Sequence, residues 1–198
     1  MRQIARALFS GEYLTSVDSP DTVVEIGPYP FNNSDASPLK LPRDLEVIGT
    51  EAFARSRDLV GVEFGPTIRE ILEGAFWTAN RTEVRRAHGV QHIGNRAFSN
   101  ALGFGPQLVE IPGSVTVPAT GTSTVNKISD LILHEGMQVL MPNAFRDNDA
   151  TAVKLPSSVI GVDQGVFGLI VASFREYYIE NGQQAGTYTS DGAQWSRE

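Results

Sequence analysis

Three histidines, His88, His92 and His134, are the side chains of this 198-residue chain best suited to binding a transition metal. His88 and His92 are four residues apart, a spacing that would align two ligands on a helix. Gly89 lies between them in a predicted turn, where the same spacing does not align side chains. A zinc site needs three or four ligands, and the chain has no cysteine. We therefore predict neither a metal site nor a bound cofactor.

An oxygen-rich triplet, Asp147-Asn148-Asp149, could contact calcium. The common calcium-binding loop also needs a glutamate later in the loop, and that residue is absent from the pattern here. We interpret the triplet as a solvated turn.

The charge of the chain argues against a nucleic-acid partner. Sixteen basic and 23 acidic residues give a formal net charge of -7 at pH 7, whereas nucleic-acid-binding surfaces are basic. Arg81, Arg85 and Arg86 form the one basic cluster. The cluster could bind an anionic partner, but we favour its interpretation as the edge of a solvated turn.

The sequence contains no common catalytic motif. It lacks a nucleophile elbow, a phosphate-binding loop, a dinucleotide fingerprint and the paired histidines of zinc proteases. Its glycine-rich segments recur at a regular interval, which indicates turns rather than phosphate-binding loops. We predict that the protein is not an enzyme.

A repeated six-residue pattern provides the framework that must position these residues. Each copy starts with an apolar residue and ends with phenylalanine after four variable positions. Successive phenylalanines are 22, 23, 22, 47 and 22 residues apart, so the longest step holds two periods. This regularity predicts a solenoid, in which each coil is stable only when stacked on its neighbours. The copies are Ile26–Phe31, Ile48–Phe53, Ile71–Phe76, Ile93–Phe98, Leu140–Phe145 and Val162–Phe167.

Each period is predicted to contain a short strand, a turn and a second short apolar segment. In the clearest copy, Val62 and Phe64 lie on one side of the strand, and the turn follows at Gly65-Pro66-Thr67, because glycine and proline favour turns. We expect the closing phenylalanine to fill the space between coils. The alanine that usually precedes it indicates a crowded position.

We divide the chain into an N-terminal cap at residues 1–22, repeats at residues 23–170, and a C-terminal cap and tail at residues 171–198. Residues 2–9 are predicted to form a short helix. The aromatic residues after residue 173 are predicted to cover the last coil rather than to bind a ligand. The coil at about residues 112–130 is degenerate, because Thr122 stands where a phenylalanine is due. It is either a poorly filled coil or a loop that carries binding.

One outward-facing position recurs on the first strand of each coil, and the charge of the residue there changes sign along the array. Opposite charges on neighbouring strands stabilise a sheet by roughly 0.2–1 kcal/mol per pair, so a structural charge ladder is one interpretation. The other interpretation is a partner-binding face, in which an isoleucine provides an apolar contact. The two interpretations are compatible. The candidate residues are Lys40, Glu63, Arg85, Glu110, Ile132 and Lys154.

The Leu41-Pro42 turn, the Ile-Gly-x-x-Ala-Phe pattern of Ile48–Phe53 and the period near 23 resemble BspA-type leucine-rich repeats of bacterial surface proteins. The segment Asn181–Thr189, followed by Trp195, is similar to the tail of spirochaete (treponemal) members. The resemblance covers about residues 23–170. It implies a leucine-rich-repeat solenoid of the α/β type, strand-rich with an irregular convex side, with about seven coils of 22–24 residues capped at both ends. The family commonly has cysteine three residues after the phenylalanine, where this chain has Ser34, Ser56, Ala79, Ala101, Asn148 and Ile170.

The same resemblance implies a non-enzymatic protein–protein interaction module. It would be an adhesin-like protein of the bacterial surface, or a secreted one, that binds host matrix or bacterial surface proteins. Residues 1–9 lack the apolar stretch of a signal peptide, so an intracellular structural or scaffolding repeat protein is the alternative, and a periplasmic or cytoplasmic location stays open. No apolar run approaches the roughly 18 residues of a membrane span. The sequence predicts no oligomeric state.

Overall fold

The computed structural model builds the chain from many short strands and one short helix. It describes residues 2–12, 17–34, 39–57, 59, 62–79, 84–85, 89–101, 107–115, 119–148, 150–167, 174–191 and 194–198. The elements are β1 (Gln3–Ile4), β2 (Val17–Asp18), β3 (Glu25–Ile26), β4 (Leu39–Lys40), β5 (Val47–Ile48), β6 (Val62–Glu63), β7 (Glu70–Ile71), β8 (Val84–Arg85), β9 (His92–Ile93), β10 (Gln107–Ile111), β11 (Ile128–Leu133), β12 (Val139–Leu140), β13 (Ala152–Leu155), β14 (Gly161–Val162), α1 (Phe174–Glu180), β15 (Gly186–Ser190) and β16 (Trp195–Arg197).

Equivalent strands of successive coils pair in parallel, one period apart. On one side the ladder runs β1-β3-β5-β7-β9, and its isoleucines are register partners that all point into the core. On another side the parallel ladders are β2-β4, β6-β8 and β10-β11-β13. Pairing of each strand with the strand one period later confirms the predicted solenoid.

The closing phenylalanines form a continuous ring stack through the first half of the array. The ring centroids of Phe9, Phe31, Phe53, Phe76 and Phe98 are separated by 5.2–5.4 Å in successive pairs. The four rings from Phe31 onward are buried, and so are the alanines that precede Phe53, Phe76 and Phe98. The rings therefore fill the space between coils as predicted, and the alanines lie where a larger side chain would meet the next coil.

The predicted helix at residues 2–9 is wrong. Gln3 and Ile4 form strand β1, which pairs in parallel with β3. The turn residues that follow include Phe9. The ring of Phe9 lies 5.4 Å from that of Phe31. Residues 4–9 are thus another copy of the repeated pattern, because pairing with β3 outweighs the helical spacing of Ile4, Ala7 and Leu8.

The degenerate coil is filled in its described part, although its register differs from the prediction. The amide of Phe98 donates to the carbonyl of Thr122 at 2.9 Å, as the amide of Phe76 donates to Ala97 at 2.8 Å. Thr122 therefore takes the alanine position and Ser123 the phenylalanine position, one residue later than predicted. Both side chains are buried. Residues 116–118 lie outside the described residues.

Two buried asparagines replace side-chain packing with hydrogen bonds where the ring stack is interrupted. Asn126 and Asn148 each follow the closing residue by three positions and are 4% and 5% exposed. The Nδ2 of Asn126 donates to the carbonyl of Phe98 at 2.9 Å, and its Oδ1 accepts from the amide of Ala101 at 2.9 Å. These side chains satisfy backbone groups of the neighbouring coils, which would be costly to leave unpaired.

The convex segment is a series of tight turns with positive φ angles. In the coil that closes at Phe53, the left-handed residues are Glu51 (φ 48°) and Arg55 (φ 60°). The turns direct three alternate amides of this coil, at Glu51, Phe53 and Arg55, toward the next coil, where they donate to carbonyls at 2.7–2.9 Å. Hydrogen bonds along the convex side consequently run in one direction from coil to coil.

The C-terminal segment covers the last coil with aromatic side chains. Phe174 of α1 lies edge-on to Phe167, with 5.1 Å between ring centroids, and its ring is 4.8 Å from that of Trp195. Burial raises the pKa of the Tyr178 and Tyr188 phenols. Strand β15 extends the sheet by pairing with β13 in antiparallel fashion, and β16 pairs with β15. This packing matches the covering role predicted for these aromatic residues, while the proposed boundary at residue 171 stays a prediction.

Within the described part of the chain, no helix is long and apolar enough to cross a membrane.

Glu135 links two coils through hydrogen bonds to a turn of the next coil. Its carboxylate accepts hydrogen bonds from the amide and hydroxyl of Ser157 at 2.9 and 3.0 Å and from the amide of Ser158 at 3.2 Å. The Ser157 amide is the main cause that holds the pKa of Glu135 below its ordinary value. A lowered folded-state pKa stabilises the fold at neutral pH, and this contribution is lost as the pH falls through the folded-state pKa.

Glu135→Gln is therefore expected to lower the free energy of unfolding at about pH 7, and the difference between the two proteins should shrink as the pH falls through the folded-state pKa of Glu135, because the carboxyl then becomes protonated in the folded state too. Urea denaturation of the two proteins over a series of acid pH values measures this difference. A destabilisation that stays equally large at every pH would contradict the role given to the carboxylate charge.

Candidate interaction face

Strands β10, β11 and β13 display a two-row outward surface, which we call the strand face. In one row Glu110, Ile132 and Lys154 are register partners across β10, β11 and β13. Their neighbours at alternate positions, such as Leu131 and Val153, are buried in the core. Strict alternation along the strands therefore points all three candidate residues outward.

The other three candidate residues lie on separate ladders. Lys40 of β4 is exposed and is the register partner of Asp18 in β2. Glu63 of β6 is the register partner of Arg85 in β8, and only the backbone of these two residues is described. The register thus pairs residues of opposite charge at two points before the strand face begins.

On the strand face, oppositely charged residues do not lie opposite each other on neighbouring strands. Glu110 Oε2 lies 3.1 Å from His134 Nε2 rather than beside a cation on the next strand. The register neighbour of Glu110 is Ile132, which is half-buried, and Lys154 lies between Ile132 and Thr187. Here an apolar residue separates the two charges, so cross-strand ion pairing does not account for this row.

The second row of the strand face was missed at the sequence level. Leu108, Asp130 and Ala152 are register partners across the same three strands. Leu108 is 59% exposed and lies diagonally to Ile132 on the neighbouring strand, so it adds a large apolar side chain to the same face. The alternation of Leu108 with Val109 and Glu110 could have revealed it, because residues two apart share a face of a strand.

The side chains considered for metal binding are not brought together where the structure describes them. His92 is exposed on β9, and His134 contacts Glu110. Asn148 is buried, with its Nδ2 donating to carbonyls of Ser123 and Phe145 at 2.8 Å, so the interpretation of this residue as part of a solvated turn is wrong. Among the described residues, no cluster of three potential ligands has metal-binding geometry. Outside the described residues lie His88, Arg81, Arg86 and Asp149.

Parallel ladders one period apart, an inward ring stack and an irregular convex side define a leucine-rich-repeat solenoid. The sequence model of the BspA type leucine rich repeat region matches six copies within residues 1–104, which is just over half of the chain. The protein belongs to this family. The similarity to treponemal members stays a prediction.

Two solved structures are similar to this chain at low sequence identity. A leucine-rich repeat protein from Bacteroides ovatus ATCC 8483 is 17% identical, with a TM-score of 0.65, over 82% of this chain and 48% of that one. The pneumococcal vaccine antigen PcpA is 18% identical, with a TM-score of 0.45, over 86% of this chain and 58% of that one. The first supports the fold. The chain spans about half the length of these proteins, and no curated protein sequence matches it.

Proposed function

We propose that this protein is an adhesin-like interaction module of the bacterial surface or of secreted material, which binds host matrix or bacterial surface proteins through the strand face. The observation that carries the proposal is the exposed Leu108, placed diagonally to half-buried Ile132 on the neighbouring strand, with Glu110 and Lys154 on the same face. Apolar side chains ringed by charged ones are typical of protein-binding surfaces. Repeat proteins typically serve as non-enzymatic scaffolds that bind along such extended surfaces.

Each residue of the strand face has a distinct part in binding. Leu108 and Ile132 provide apolar area that a partner can cover, whereas Glu110 and Lys154 select partners of complementary charge and orient them. Because the strands fix the spacing of these side chains, little conformational entropy of the backbone is lost on binding. Lys40, Glu63 and Arg85 would extend the same contact along the preceding coils.

The proposal is tested by binding of the purified chain to immobilised host matrix proteins and to intact bacteria. Leu108→Asp is expected to weaken binding about tenfold or more, since it places a charge where the partner covers an apolar side chain. Lys154→Glu should weaken binding less and make it less sensitive to salt. The matched control is Ile160→Asp, which changes an aliphatic residue that is 73% exposed away from the strand face.

If Leu108→Asp and Ile160→Asp weaken binding equally, the strand face is not the contact surface. Absence of binding to every matrix protein and bacterial surface tested would contradict the adhesin-like function itself. Circular dichroism of each variant shows whether the fold is retained.

A further inference from the structure

The strand face carries two carboxylates and two large apolar side chains in a crossed arrangement. Leu108 is the register partner of Asp130, and Glu110 is the register partner of Ile132. Each acidic residue therefore lies opposite an apolar residue on the neighbouring strand, and the two acidic residues are diagonal neighbours. We call these four residues the acidic cross. A partner that covers the apolar pair also meets both carboxylates.

The two carboxylates of the acidic cross keep free acceptor positions. Glu110 Oε2 lies 3.1 Å from His134 Nε2, and Asp130 Oδ2 accepts a hydrogen bond of 2.6 Å from the hydroxyl of Ser129. The other oxygen of each carboxylate has no partner among the described residues. Both acidic residues are exposed. Each can therefore accept hydrogen bonds from a bound partner.

No lysine or arginine pairs with these carboxylates within the part of the chain that the structure describes. Lys154 of β13 is diagonal to Asp130 but forms no ion pair with a described residue. The whole chain carries a formal net charge of -7 at pH 7. The charge at the acidic cross and the charge of the molecule thus both favour a basic partner.

We infer that the acidic cross binds an arginine of the partner protein that is flanked by apolar residues, an inference that rests on the proposed function of the strand face. The guanidinium lies between Glu110 and Asp130 and donates to both. Diagonal positions of a parallel strand pair are about 8 Å apart, from the strand spacing and a rise of two residues, so both carboxylates can reach one guanidinium between them. The aliphatic stem of the arginine and its apolar neighbours cover Leu108 and Ile132.

Arginine fits the acidic cross better than lysine does. Its planar guanidinium presents several donors and can bond to two carboxylates at once, whereas the ammonium of lysine is a compact, strongly hydrated point charge. The weaker hydration of the guanidinium also lowers the cost of covering it together with Leu108. Glu110 and Asp130 thus set the specificity for arginine, and the apolar pair favours apolar residues on either side of it.

Selection of a phage-displayed library of random peptides on the immobilised full chain tests this inference. The expected result is enrichment of peptides in which arginine lies next to leucine, isoleucine or phenylalanine. An enriched peptide is then synthesised, and its affinity is measured by fluorescence polarisation. Replacement of its arginine by citrulline, which keeps the shape and removes the charge, should raise the Kd about tenfold or more. Replacement by lysine should raise it by a smaller factor, because one charge is retained.

Isosteric variants of the protein separate charge from shape. Glu110→Gln and Asp130→Asn should each raise the Kd of the arginine peptide about fivefold. The double variant should raise it about tenfold or more and make binding less sensitive to salt. The matched control is Glu46→Gln/Glu70→Gln, which removes two exposed carboxylates at β5 and β7, away from the strand face, and should leave the Kd nearly unchanged. Circular dichroism of each variant shows whether the fold is retained.

Enrichment of peptides without arginine, or no enrichment at all, would overturn the inference. So would a double variant that binds the arginine peptide as tightly as the original protein, or a control that weakens binding as much. These readouts use neither matrix proteins nor bacteria, so a failure of adhesion does not affect them. Matrix binding that is lost in Leu108→Asp but kept in Glu110→Gln/Asp130→Asn would support the strand face as a binding surface and reject arginine as its ligand.

Discussion

Replacement of Phe76 by alanine is expected to lower the free energy of unfolding by about 3–5 kcal/mol. Phe76 is fully buried in the middle of the ring stack, with centroids 5.4 Å from Phe53 and 5.3 Å from Phe98, and Phe64 lies edge-on at 5.8 Å. Truncation leaves a cavity between coils that neighbouring strands, fixed by their ladders, cannot collapse to fill. Urea denaturation monitored by circular dichroism measures the loss.

Phe9→Ala is the matched control for this prediction. Phe9 carries the same ring at the first position of the stack; among the described residues it contacts one ring instead of several, and it is only partly buried. Its truncation should cost roughly half as much. If Phe9→Ala and Phe76→Ala destabilise the protein equally, stacking between coils is not what makes the central rings important.

Asn148→Ala should destabilise the protein by about 2–4 kcal/mol, although it removes a polar side chain from the interior. The Nδ2 of Asn148 donates to carbonyls of Ser123 and Phe145 at 2.8 Å, and its Oδ1 accepts from the amide of Ile128 at 3.2 Å. Alanine leaves these buried backbone groups without partners, and each carries a desolvation cost. Urea denaturation is again the measurement.

Asn181→Ala provides the comparison for a solvent-exposed amide. The Nδ2 of Asn181 donates to the carbonyl of Tyr177 at 2.8 Å, but both groups can bond to water when the side chain is lost. Its cost should remain below about 1 kcal/mol. Equal costs for Asn148→Ala and Asn181→Ala would show that the buried asparagine does not hold neighbouring coils together.

The repeated core could be predicted from the sequence because burial imposes a strict period on it. An inward isoleucine and a closing phenylalanine must recur at the same place in every coil, as Ile48 and Phe53 do. Their spacing therefore identifies the solenoid and the family. The outward charges at Glu110 and Lys154 followed from the same period, because alternation along a strand fixes which side chains face out.

Parts of the fold that do not require a particular side chain at a fixed interval could not be predicted in this way. The first coil was interpreted as a helix because Ile4, Ala7 and Leu8 also fit helical spacing, and only the contact with β3 decides between the two structures. The register of the degenerate coil was missed by one residue, because Ser123 fills the ring position with no ring. Asn126 was overlooked since its role is set by the backbone groups of the preceding coil.

The ring stack also measures how strongly the solenoid bends. The distance between equivalent atoms of successive coils gives the spacing of the coils at that side of the solenoid. Between ring centroids from Phe9 to Phe98 this spacing is 5.2–5.4 Å. Paired strands are about 4.7–4.9 Å apart, so a difference of ~0.5 Å across a coil on the order of 10 Å thick turns the axis by only ~3° per coil. From Phe9 to Phe98 the solenoid is therefore nearly straight rather than curved like a horseshoe, so an extended partner bound along these coils would need to bend little.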